Sequence, residues 1–359
     1  MPEFWTAAGR MIVAGLILAA AAGLPAALLL RSLRRRGEPL LPPRRDWAVP
    51  WTSVEVLGGF LAFVILGLAA DALLTQAGFF RWLYGADFPT EPPGGATDDP
   101  EWKRAVNLRM LWSSPLAFPF YVAAVLAMAG QSGGGRLPPP FAPSGRLRAD
   151  LALGYLGWLT LTPAVFLIYA VALAVLQWVF QSPPEQHPLT LLIPGAGPAE
   201  LVLLGLEIVL LAPVREEFLF RGLLLPALLK HPLRCHVCYA AALALALGTR
   251  TGALLEALGG RDWAGALGPA APALFVLALL PLYLALPRRG DNAALAVFSS
   301  AVLFATFHSG VWPSPVPLFV LAAGLGWLTY RSQSLVPAVV VHGLFNAVSG
   351  VFLLLGGGA

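Results

Sequence analysis

The sequence predicts an all-α protein, a polytopic transmembrane helical bundle of about ten helices. Three observations carry this reading. Of 359 residues, 58% are hydrophobic and only 12% charged, where a soluble domain carries about 25% charged residues. The apolar residues gather into long runs, several at or above the ~20 residues that a helix needs to cross a bilayer. Between the runs lie segments rich in Pro and Gly whose charge changes sign from one to the next, the pattern of a chain that alternates sides of a membrane.

The first run, Met11 to Leu30, is longer than a signal-peptide core and is followed at once by Arg31, Arg34, Arg35 and Arg36, so it reads as a retained helix. With Arg44 and Arg45 these arginines place residues 31–45 in the cytoplasm. After a second run over 54–78, the acids Asp87, Glu91, Asp98, Asp99 and Glu101 mark an outer loop. A third run (108–130) returns the chain to an inner loop with Arg136, Arg146 and Arg148. The fourth (151–180) leads to a Pro-rich outer stretch over 181–198 that holds Glu185. The fifth, 201–229, ends inside at Lys230 and Arg234. Two shorter apolar pieces, 237–247 and 268–286, flank Arg250, Glu256, Arg261 and Asp262 and read as an irregular helical hairpin. Arg288 and Arg289 bring its far end inside, and three last helices follow over 293–311, 314–330 and 335–355.

The net charge of +4 concerns orientation in the membrane. Lys103 and Lys230 are the only lysines, and the arginines cluster in short loops instead of forming a stripe, so no nucleic-acid partner is expected. Cys235 and Cys238 cannot build a disulfide framework; with His231 and His236 nearby they could form a metal or redox site, but ordinary packing is the favoured reading. Trp5, Trp47, Trp51, Trp82, Trp102 and Trp312 fall near helix ends and read as interfacial anchors. No internal repeat speaks for a transporter with duplicated halves.

The fifth run carries the chemistry. A helix over 201–229 extends about 44 Å at 1.5 Å per residue, which puts Arg215, Glu216, Glu217 and Arg221 near mid-depth. Four charges facing lipid there cost on the order of 10 kcal/mol, so they must face a wet or paired interior. Glu217 and Arg221, four residues apart, share a face and can neutralise each other. Glu216 lies about 100° around the helix and needs another partner. Arg215 reads as a snorkelling or cavity-wall residue, and Glu207 has no partner that the sequence reveals. Two later apolar helices each carry one histidine: Phe304 and His308 share a face, as do His342 and Asn346. A single cavity holding Glu216, His308, His342 and Asn346 satisfies all of them, and it has the parts of a hydrolase. A carboxylate can take a proton from water with help from a histidine, while histidine and amide stabilise an oxyanion.

These residues, Glu-Glu-x-x-x-Arg (216, 217, 221) followed by Phe-Arg-Gly at 220–222, Phe-x-x-x-His (304, 308) and His-x-x-x-Asn (342, 346), resemble the three motifs of the CPBP intramembrane proteases, the family of type II CAAX prenyl endopeptidases and Abi-like proteins. The resemblance covers about residues 198–356. It implies an eight-helix core and an intramembrane endopeptidase that hydrolyses a peptide bond of a membrane-anchored or lipid-modified protein. It also implies roles: Glu216 and His308 activate the water, His342 and Asn346 form the oxyanion site, and Glu217 with Arg221 holds the catalytic helix. The stretch between the first and second motifs is longer than the family's, so the hairpin near 237–286 reads as an insertion. Residues 1–197 carry no motif and would complete, gate or recognise substrate for the 198–356 region.

Family members have been described as metal-dependent and as glutamate-dependent. Glu216, His308 and His342 match the ligand count of a His₂Glu zinc site, so zinc is the candidate if a metal is used. Against it, no His-Glu-x-x-His helix is present and Glu217 is engaged by Arg221, leaving no second base; glutamate-activated water with no cofactor is the favoured reading. The competing function is a non-catalytic scaffold or immunity factor of the same fold. The expected partners are the bilayer and a membrane-anchored protein or peptide. The Arg-, Ala- and Leu-rich composition points to a bacterial cytoplasmic (inner) membrane.

Overall fold

A computed structural model of the chain describes residues 25–37, 39–42, 47, 49–92, 99–179, 185, 191–262, 265–286 and 292–356. Residues 11–24 of the first apolar run, Trp5, Arg44, Arg45, Asp98, Arg288 and Arg289 lie outside them. Among the described residues every regular element is helical.

Local signals set the helix starts. Helix α1 covers residues 25–35. Helix α2, Ser53–Gln76, starts at a capping box in which the Thr52 side chain accepts from Val54 N–H and Glu55 accepts from the Thr52 N–H at 2.7 Å. A short α3, Phe79–Tyr84, follows. Helix α4, Pro100–Ser132, begins eight residues ahead of the apolar run because Asp99 caps the Trp102 N–H at 2.8 Å and Pro100 fills the first turn, where no N–H is needed. Helix α5 is Leu147–Val179. Five consecutive segments, Pro198–Leu206, Glu207–Leu211, Ala212–Glu217, Phe218–Leu224 and Leu225–Leu229, run without a break as one rod, α6.

The expected hairpin comprises α7 (Pro232–Gly248), α8 (Thr251–Gly259) and α9 (Leu267–Ala285). Helix α7 starts five residues early because the His231 ring accepts from Leu233 N–H and Pro232 follows the cap. A 56° bend separates α7 from α8. The last three helices are α10 (Asn292–Phe307), α11 (Pro315–Ser332) and α12 (Val336–Gly356). Short α3 and α8 account for the excess over the expected ten.

Helices α2, α4, α5 and α9 are each long and apolar enough to cross a bilayer, α7 and α8 qualify as a bent pair, and α10 and α12 are shorter apolar helices. Leu57, Val64, Ile65 and Leu68 of α2 are exposed, a surface suited to lipid. The chain is an integral membrane protein.

Helix α6 is the axis of the bundle. Helices α2 and α4 pack together on one side of it, α12 on another, and α10 beside its last turn; α5 backs α11 and α12, while α7 backs α10 and is itself covered by α9. In lipid, helices associate by close packing more than by the hydrophobic effect, so small residues at the contacts matter. On α5, a Cβ at Gly154 would lie 2.7 Å from Val340 Cβ and 2.9 Å from the Pro337 carbonyl, so glycine permits the α5–α12 approach.

One expectation changes here. Trp51 is no interfacial anchor: it is fully buried, and its indole N–H donates to the Leu223 carbonyl of α6 at 3.0 Å. An indole is apolar enough to enter the core once its single N–H finds an acceptor.

Candidate active site

The site is shaped first by two prolines. Pro213 and Pro226 of α6 lack an N–H and crowd the preceding turn, and ahead of each one the backbone widens to i→i+5 hydrogen bonding, over Glu207–Leu211 and Phe218–Leu224. In the first wide turn the Ala212 N–H donates to the Glu207 carbonyl. The Ile208 carbonyl would then take its hydrogen bond from residue 213, which is proline, and is left without a helical donor. The Asn346 side chain of α12 supplies it, Nδ2 donating at 3.0 Å. Helix α12 can come that close because residue 343 is glycine: a Cβ there would lie 2.7 Å from the Val209 carbonyl. A Gly343→Ala variant is expected to force α12 off the wide turn and to lower stability by about 1–3 kcal/mol, read as a fall in the melting temperature of the detergent-solubilised protein.

Between the wide turns sit Glu216 and Glu217. Glu217 is fully buried, and its Oε1 accepts from Arg221 Nη1 at 2.9 Å, the expected i,i+4 pair. The same oxygen lies 2.8 Å from His342 Nδ1. A carboxylate ionised beside a guanidinium only accepts, so Nδ1 is the protonated nitrogen. This corrects the expectation that Glu217 is engaged by Arg221 alone: it also fixes the tautomer and orientation of His342. The free Nε2 of His342 faces Glu216 Oε2 at 3.7 Å. That oxygen and Glu217 Oε2 are both buried without a hydrogen-bond partner. Glu216 keeps 27% of its side-chain surface, whereas Glu217 and Arg221 keep none and His342 4%.

Arg221 is further held by its Nη2 donating to the Ala322 carbonyl of α11 at 3.1 Å, and its guanidinium lies 4.6 Å from the ring centre of Phe304. Phe304, fully buried on α10, gathers the rest. Its ring centroid is 4.9 Å from that of His308 and 5.8 Å from that of His342. His308 was expected inside a span over 293–311. Helix α10 instead ends at Phe307, and His308 stands in the turn beyond it, where Ser309, Gly310 and Pro313 disfavour helix. Its Nδ1 lies 3.0 Å from the Phe304 carbonyl, which can only accept, so Nδ1 carries a hydrogen and donates.

All six expected residues therefore lie on α6, on α12 or in the turn that follows α10. Glu216, Glu217, Arg221 and His342 form one polar chain; His308 joins them through the Phe304 ring; Asn346 has one amide hydrogen committed to Ile208 and a second one left. Glu216, His308 and His342 are not drawn together as a zinc-ligand set: among the described residues no three His, Cys, Asp or Glu side chains gather in that way.

Sequence reasoning missed three groups. Glu207 and Arg215 form an ion pair that Ser114 of α4 closes into a ring, so Arg215 does not snorkel. Near His308, Arg250 pairs with Glu185 and donates to the Ser309 carbonyl at 2.8 Å, while Glu185 accepts from Trp312 N–H at 2.7 Å. Burial pushes the Glu185 carboxyl up, but the Arg250 and Trp312 hydrogen bonds and the Arg250 charge outweigh it and hold the group below its ordinary value. Asp71 and Arg109 join α2 to α4. A concavity of about 310 Å³ lined by Leu29, Leu33, Arg36, Arg148 and others lies between α1 and the start of α5 and includes none of the motif residues.

Residues 273–348 match the family model described as Rce1-like, type II CAAX prenyl endopeptidase Rce1-like. The matched stretch holds Phe304, His308, His342 and Asn346; Glu216, Glu217 and Arg221 precede it. Together with the all-helical membrane fold, the match supports the CPBP family of membrane-embedded proteases. No match was found among curated proteins or among solved structures.

Proposed function

We propose that the chain is an intramembrane endopeptidase that hydrolyses a peptide bond of a membrane-anchored or lipid-modified protein with water activated at Glu216. The observation that carries this reading is the relay Arg221–Glu217–His342–Glu216. Its inner carboxylate is locked in a buried ion pair, while its outer carboxylate keeps open surface and an unpartnered oxygen 3.7 Å from an imidazole nitrogen.

A water held between Glu216 and His308 gives its proton to Glu216 as its oxygen attacks the scissile carbonyl carbon. The negative charge that develops on the carbonyl oxygen is met by the second Asn346 amide hydrogen and by His342, whose Nε2 takes up a proton from bulk water before the attack and gives it back after product release. The carbon–nitrogen bond then breaks as the proton from Glu216 passes to the leaving amine, releasing a carboxylate and an amine. Glu217 and Arg221 touch no reacting atom: they hold His342 and the α6 turn. Residues 198–356 form the catalytic region with an inserted hairpin near 237–286. Residues 1–197 supply α2 and α4, which wall α6 and suit a gate or a recognition surface. A bacterial cytoplasmic membrane is the proposed location.

The test compares protein termini in membranes of cells that produce the wild type or His308→Ala. New C-termini on membrane-anchored proteins, seen with the wild type alone, are expected. Identical sets from the two, with both proteins inserted at equal levels, would overturn the reading.

A further inference from the structure

The Glu207–Arg215–Ser114 ring uses three ionisable or polar side chains in the apolar interior, yet the proposed chemistry does not call on it. Its geometry explains it. Arg215 is eight residues after Glu207. On an unbroken α-helix that spacing leaves the two about 80° out of line, too far around for a direct pair. The wide turn over Glu207–Leu211 adds roughly one residue to its turn, so eight residues come close to two full turns and the side chains meet. The ion pair therefore forms only while the wide turn persists.

Arg215 is then fixed from several directions. Nη2 pairs with Glu207, Nη1 donates to Ser114 Oγ at 2.7 Å, and Ser114 Oγ donates in turn to the other Glu207 oxygen. The guanidinium lies 5.5 Å from the ring centre of Phe63 on α2, and the Arg215 carbonyl accepts from Tyr121 Oη of α4 at 3.3 Å. On the opposite side Asn346 and Gly343 of α12 bear on the Ile208 and Val209 carbonyls of the same turn. The residue after Arg215 is Glu216. Holding the azimuth of the first sets that of the second.

We infer that Glu207, Arg215 and Ser114 are positioning residues, a lock across the wide turn of α6 that aims Glu216 at His342. The inference rests on the proposed role of Glu216, and it assigns α2 and α4 of the N-terminal half a part in the site's geometry. A lost lock moves the general base by a fraction of a turn and slows the chemistry without changing the surface that receives substrate.

The experiment uses the full chain in detergent or proteoliposomes, with Glu207→Gln, Arg215→Gln, their double variant, Ser114→Ala and Glu216→Gln. Three quantities are read at equal folded yield: kcat and KM on a membrane-anchored peptide substrate, and the rate at which dicyclohexylcarbodiimide modifies Glu216, located by mass spectrometry. Each single charge variant is expected to lower kcat by about 10- to 100-fold with KM within about twofold, and to change the rate of Glu216 modification. Because the pair acts as a unit, the double variant should be no slower than the slower single. Ser114→Ala leaves the ion pair in place and should show a smaller change in the same direction, which serves if a charge variant does not fold. Unchanged kcat and unchanged modification of Glu216, or losses that multiply in the double variant, overturn the lock. If the wild type cleaves nothing, the proposed function fails, and the modification rate still decides the lock by itself.

Discussion

Replacing Glu216 with Gln is expected to abolish peptide cleavage while the protein still inserts and folds. The substitution keeps shape and hydrogen-bonding reach but removes the basic atoms of the one carboxylate on α6 that combines open surface with a place beside His342, since Glu217 is shut in beneath that ring and Glu207 is bound to Arg215. A positioned general base contributes about 10²–10⁴-fold, and here the same carboxylate must also return the proton to the leaving amine, so the combined loss should leave no measurable turnover. Stability should change little, because Glu216 has no Arg or Lys partner, its approach to His342 is 3.7 Å, and that oxygen has no hydrogen bond to lose. The check is a side-by-side assay of purified wild type and variant at matched melting temperature. Cleavage by Glu216→Gln at more than a tenth of the wild-type rate would reassign the base.

The second large effect concerns folding. In Glu217→Leu, Arg221 remains fully buried, with the Ala322 carbonyl and the Phe304 face but without its hydrogen-bonded counter-charge. Breaking a buried pair from one side costs about 3–5 kcal/mol, a large share of the stability of a typical domain. The variant should be recovered poorly, with a lowered melting temperature. Arg221→Met fails less, because a carboxyl left alone can take up a proton. Glu217→Leu combined with Arg221→Met removes both charges, and folding should return toward the wild type. Activity should not return with it, because His342 Nδ1 then has no acceptor to hold its tautomer. Recovery of both together would mean that the pair is purely a strut; recovery of neither would mean that Arg221 anchors α11 in a way that methionine cannot replace.

Much of this was legible in the sequence. Apolar run lengths and alternating loop charge gave the helices, because lipid permits few other solutions to backbone hydrogen bonding. The Glu217–Arg221 pair followed from i,i+4 spacing. What stayed hidden traces largely to α6. Reading it as uniform α-helix leaves Glu207 without a partner, because the wide turn ahead of Pro213 is what brings Arg215 round to it. The partition of the histidines was also hidden: an expected Glu216–His342 contact is present at 3.7 Å, but the shorter bond goes to Glu217. Spacing along one helix says which side chains share a face, not which of two adjacent acids a distant helix will choose.

The extra residue held in the turn over Glu207–Leu211 has a consequence for how this chain can vary. Glu207 apart, side chains there can be exchanged for others of similar volume without disturbing what lies downstream. Removing a single residue is another matter: it would return the rod to ordinary winding and swing everything after it by roughly 100°, presenting intact glutamates to the wrong neighbours. In α6, then, the number of residues matters more than their identity at most positions of the turn, and a one-codon deletion should be more damaging than many missense changes beside it.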